Sequence, residues 1–127
     1  MSIQRNAGKE VVELFASAAR TATPTPATAA IRSAQGLFFI NVTAVSATPS
    51  VVFTISGVSP NGSTLYTILA SAAITGTGLT VLRVSPHLTA AANTIAKDIL
   101  PAAISVAAVH GDADSITYSL HFVGTDS

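Results

Sequence analysis

The segment from Gly36 to Val58, GLFFINVTAVSATPSVVFTISGV, narrows the possible folds more than any other part of the chain. It holds two apolar runs separated by Ala47-Thr48-Pro49-Ser50. In an extended backbone the first run places Phe38, Ile40, Val42 and Ala44 on one face. Asn41 and Thr43 fall on the other, beside Leu37, Phe39 and Val45. The second run sets Val51, Phe53 and Ile55 against Val52, Thr54 and Ser56. Alternation of period two, carried by β-branched and aromatic residues, marks strands rather than a helix. The expectation is that these runs pair as the central hairpin of an all-β domain.

Further strands follow on either side. Ser59-Pro60-Asn61-Gly62-Ser63 is a strong turn signal, because Asn and Gly adopt positive φ readily. It leads into Thr64 to Ala70. Thr75-Gly76-Thr77-Gly78 makes a second turn before Leu79 to Val84. Pro101 to Val109 and Ser115 to Val123 also alternate, the latter through Ile116, Tyr118, Leu120 and Phe122. Pro86 to Leu100 has no such period and reads as a long loop, a kind that is usually functional or contact-making. Glu10 to Thr21 is ambiguous. Val11, Leu14, Phe15 and Ala18 fit a helical stripe, while Val12, Leu14, Ala16 and Ala18 fit a strand, and the all-β context favours the strand. The prolines of Thr23-Pro24-Thr25-Pro26 lack a ladder donor, so Thr21 to Ser33 reads as an extended connection. The resulting expectation is an antiparallel β-sandwich, Ig-like or jelly-roll, of about seven strands. Residues 33–127 form the sandwich, and 1–32 form an N-terminal arm with one possible strand, removable without unfolding the rest.

Composition bounds the partners. Charged residues make up 9% of the 127, against about 25% in ordinary soluble domains. From Ser33 to Leu82 no Asp, Glu, Lys or Arg occurs. Solvated sheet faces and edges normally carry such charges, whereas the centres of protein–protein interfaces are depleted in them. Two readings stay open: a subunit covered by neighbours, or a domain with a Ser/Thr-rich coat. The formal net charge of zero argues against general attraction to nucleic acid or anionic membrane. No apolar run is long enough for a membrane helix, and Lys9, Glu10, Glu13 and Arg20 interrupt any signal-like core. There is no cysteine and hence no disulfide.

Catalytic devices are missing from the pattern. His87, His110 and His121 are not in ligand-spaced pairs. Asp112 and Asp114 lack the remaining ligands of a calcium loop and read as turn residues that cap backbone donors. No GxSxG elbow, phosphate loop or GxGxxG is present. The expectation is a non-enzymatic protein with no metal or cofactor.

Three segments carry a family likeness: Asn41 to Ser46 (NVTAVS), Leu65 to Pro101, and Asp112 to Ser119 (DADSITYS). They resemble a group of small virion structural proteins of tailed bacteriophages. The resemblance implies a decoration or cement protein that binds and stabilises the shell of the major capsid protein. Such a protein would be made in the host cytoplasm, located on the capsid surface, and homo-oligomeric, with a trimer at three-fold axes as one arrangement. It would place contacts with the shell or a neighbouring subunit on the arm, at Arg5, Lys9, Arg20, Pro24, Pro26 and Arg32. The long loop would add His87, Leu88, Asn93 and Lys97. The rival within the same class is an adhesion module of the tail or its fibre.

Overall fold

A computed structural model of the chain describes residues 9–62 and 64–125. Among these residues there is no α-helix, and nine strands are present. They are β1 (Lys9–Arg20), β2 (Ala27–Ala30), β3 (Gln35–Val45), β4 (Val51–Val58), β5 (Leu65–Ala70), β6 (Gly78–Val84), β7 (Ile95–Ala96), β8 (Ala103–His110) and β9 (Ile116–Thr125). Two sheets result. One runs β1-β9-β3-β6-β7 and the other β2-β8-β4-β5. All pairings are antiparallel except the short β6–β7 pair. The architecture is an antiparallel β-sandwich with nine strands rather than about seven. The two additional strands are the short ones that sequence periodicity cannot register, β2 beside the prolines and β7 inside the long loop.

The faces expected to be apolar do form the core. Phe38, Ile40 and Val42 of β3 and Ile116, Tyr118, Leu120 and Phe122 of β9 are buried on one side. Val51, Phe53 and Ile55 of β4 and Ile104, Val106 and Ala108 of β8 are buried on the other. The central hairpin does not form, however. β3 and β4 belong to different sheets, so their apolar faces meet across the sandwich instead of lying side by side. Pro49, buried in the connection, and Ala47, with φ at 59°, turn the chain from one layer to the other. Ala44 also departs from its expected face. A bulge between Val42 and Ala44 in the pairing with β9 shifts the alternation, and Ala44 is exposed.

Similar irregularities explain why β1 looked ambiguous. Its pairing with β9 shifts between Glu13 and Phe15 and again between Phe15 and Ala18. Leu14 and Phe15 therefore both turn towards the core, which mimics the spacing of a helical stripe. Only the β4–β5 connection is the tight turn its sequence announces. There the Ser59 amide donates to the Thr64 carbonyl at 2.8 Å, with Gly62 at φ +87°.

The described part of 1–32 is built into the sandwich. β1 pairs along β9 over its whole length, and β2 pairs with β8. Phe15 and Ile31 are buried in the core. Phe15 also meets the ring of Tyr118 edge-on, with centroids 6.1 Å apart. Glu10 accepts hydrogen bonds at 2.9 Å from the Arg32 amide and the Ser33 hydroxyl, tying β1 to the start of β3. These residues act as frame rather than arm. Replacement Phe15→Ala accordingly costs about 3 kcal/mol in chemical denaturation; a residue on a detachable arm would cost less than about 0.5 kcal/mol.

Candidate functional site

Charge is divided unevenly between the two sheets. The strands of the five-stranded sheet carry Lys9, Glu10, Glu13, Arg20 and Arg83. The strands β2, β8, β4 and β5 carry no Asp, Glu, Lys or Arg at all. Register places Thr28, Ser105, Ser56 and Thr67 in one row across the outer face of that sheet. Ala107, Thr54 and Ala70 form the next row, and Val109 and Val52 the one beyond. The face is built of small and β-branched side chains; Ser56 and Ser105 at its centre are themselves buried, while Val109 and Leu65 are about half exposed at its ends. Its edge strand β5 presents Leu65 and Tyr66 without the charge or proline that normally blunts an open edge.

The opposite outer face, on the five-stranded sheet, holds a groove of about 440 Å³. Leu37 and Val123 floor it, and Leu88 and His87 from the β6–β7 connection wall it. Lys9 and Arg83 lie at its rim. The wall is held by a short relay. The Ser85 hydroxyl donates to Gln35 and accepts from the His87 amide at 3.1 Å. Beside the groove, His121 Nε2 lies 3.3 Å from a carboxylate oxygen of Glu13, an exposed contact of the kind that contributes little to stability.

The sequence-derived contact residues therefore separate. Lys9, His87 and Leu88 converge on the groove. Arg5 lies outside the described residues. Arg20 is committed internally: its guanidinium donates to the carbonyls of Ala16 (2.7 Å), Ala18 (3.2 Å) and Tyr118 (2.9 Å) and sits 4.5 Å from the Tyr118 ring centroid. Pro24 and Pro26 occupy the connection between β1 and β2. Arg32 lines a separate cleft of about 240 Å³ with Leu100 and Pro101. Asn93, at φ 64°, donates through Nδ2 to the Ala70 carbonyl at 3.1 Å, fastening the long loop to β5. Lys97 is exposed just past β7. Arg83 was not singled out by sequence, although it is the lone cation in an apolar strand.

The remaining polar groups are structural. Asp112 accepts from the Asp114 amide at 3.0 Å, and Asp114 accepts from the Thr48 amide at 3.2 Å. The pair thus caps the β8–β9 connection and links it to the β3–β4 connection. Among the described residues no group of three His, Cys, Asp or Glu side chains is placed to hold a metal. No family of proteins, curated protein or solved structure matches this chain.

One titratable contact lies at the end of the core. His110 Nε2 and the Tyr118 hydroxyl share a hydrogen bond at 3.0 Å. Burial first, and the charge of Arg20 second, hold the imidazole below its ordinary value of 6.5, against an opposing pull from Asp112. Burial likewise pushes the Tyr118 hydroxyl up. Since the folded state favours neutral His110, its contribution is present above pH 6.5 and is lost as pH falls through the depressed folded value. In urea titrations from pH 8 to pH 5, the stability gap between the wild type and His110→Gln narrows on acidification. Parallel pH profiles would show that the imidazole is not held neutral.

Proposed function

We propose that this chain is a structural subunit of a tailed-bacteriophage particle, a non-enzymatic decoration protein that binds the shell of the major capsid protein. The observation that carries this reading is the four-stranded sheet without a single ionic side chain. A sheet face left to water ordinarily holds Lys or Glu among its outward positions, both for solubility and to prevent edge pairing. Here those positions are Thr, Ser, Ala and Val. Uncharged surfaces of this kind lose less on desolvation than charged ones and suit the centre of an interface. Self-association into a trimer at three-fold positions of the shell is part of the same proposal.

Topology supports it at the level of architecture. Leaving out the two-residue β7, the sheets read β1-β9-β3-β6 and β2-β8-β4-β5. This is the strand order of an eight-stranded jelly roll, a design found in viral capsid and lectin domains. It differs from the Ig-like order, in which three of the first five strands share a sheet with the first. Architecture alone does not fix function, and the resemblance to virion proteins supplies the remainder.

The test is co-sedimentation of the purified chain with shells lacking it, comparing wild type with Ala107→Glu at the middle of the uncharged face. The wild type is expected to saturate at a ratio fixed by the major capsid protein, in hundreds of copies per particle. Ala107→Glu should fold and bind at least tenfold more weakly, since it buries an unpaired carboxylate. No binding by the wild type, or only a few copies per particle as for a tail component, would contradict the assignment.

A further inference from the structure

The groove on the five-stranded sheet faces away from the uncharged surface, so its use is independent of shell attachment. Its construction specifies a ligand. Leu37, Val123 and Leu88 give an aliphatic floor and wall, and the floor continues outward into Val11. Val11 pairs directly with Val123 and, at 70% exposed, is the most open of the large hydrophobic side chains described. Around this apolar surface stand Lys9, Arg83 and His87, and none of the described residues lining it is acidic. Among the described residues, none of the three makes an ion pair or a side-chain hydrogen bond, in contrast to Arg20. The unpaired cations Lys9 and Arg83, set around an exposed aliphatic floor, complement a ligand that is anionic at its ends and aliphatic between them.

The spacing of the cations narrows the choice. Lys9 is on β1 and Arg83 on β6, with β9 and β3 between them. Arg83 is level with Val11, two residues along β1 from Lys9, so three strand spacings and that offset separate the two by about 16 Å, the span of about five extended residues. A single carboxylate cannot reach both. No Phe, Tyr or Trp side chain lines the groove, so the broad ring faces on which nucleobases usually stack are missing from its lining. The relay from Gln35 through Ser85 to the His87 amide holds the wall in place before any ligand arrives.

We infer that this groove is a docking site for a short extended peptide segment of a partner protein, with acidic residues about five positions apart flanking aliphatic ones. The acids meet Lys9 at one end and Arg83 and His87 at the other, and the aliphatic side chains lie on Leu37, Val123 and Leu88.

The probe is a fluorescein-labelled hexapeptide with a glutamate at each end and leucine or valine between them, titrated with the full chain by fluorescence anisotropy. Saturable binding is expected, and it should weaken as salt is raised. Lys9→Ala and Arg83→Ala should each weaken it about fivefold, the scale of one exposed ion pair. Leu88→Ser should weaken it comparably, whereas Arg32→Ala and Lys97→Ala should leave it unchanged. All five positions are exposed, and thermal melts establish that the variants fold. Equal binding of a glutamine-ended peptide would overturn the inference, as would tighter binding of a single-stranded oligonucleotide. So would no saturation at millimolar protein. Self-association of the chain that disappears in Arg83→Ala would assign the groove to a second copy instead, and would also overturn it.

Discussion

The ring edge of Phe53 against Tyr118, with centroids 5.1 Å apart, is the contact on which the rest of the sandwich is arranged. It joins the centre of the four-stranded sheet to the centre of the five-stranded one. Each central strand has one continuous apolar face, and a sheet can bury that face only against another sheet. With no cysteine to form a disulfide and no helix among the described residues to take over part of that task, the chain moves from one layer to the other at most of its connections. Burial of Phe15 from the first strand and Phe122 from the last closes the same core from both termini of the described chain.

That constraint accounts for what the sequence reveals and what it hides. Alternation identifies β3, β4, β8 and β9 and their buried faces because burial acts on each strand separately. Pairing is different. Two successive apolar runs read alike whether they are neighbours in one sheet or opposed across the core, and Ala47 to Ser50 bridges layers where a hairpin was expected. Bulges hide more. The extra residues in β1 bring Leu14 and Phe15 to the same side, so a long core strand carries the spacing of a helix. β2 and β7, of four and two residues, are too short for any period to register and exist because a longer neighbour offers them a ladder.

The surfaces were legible in proportion to how local their signal is. The uncharged stretch from Ser33 to Leu82 is plain in the sequence, but it covers parts of both sheets. Folding adds β2 and β8 to β4 and β5, and this sharpens a compositional trend into one sheet with no ionic side chain. The groove is the reverse case. Lys9, Arg83 and His87 are far apart along the chain, and only the order β1-β9-β3-β6 gathers them on one face. Arg20, by contrast, looks like a surface cation in the sequence and is consumed by three carbonyls and two aromatic rings. A charged residue near a terminus is therefore poor evidence of a contact until its partners are known.

The two outer faces then have different physical characters: one without ionic side chains, the other holding an apolar groove with Lys9 and Arg83 at its rim. The account depends most on the first being hidden from water in the working assembly. Because the chain has no native cysteine, Ala107→Cys provides a single thiol at the middle of that face. Its rate of labelling by a water-soluble maleimide, measured on the free protein and on intact particles, tests the claim directly. The account predicts ready labelling when free and at least tenfold protection in the particle; equal rates in both would contradict it.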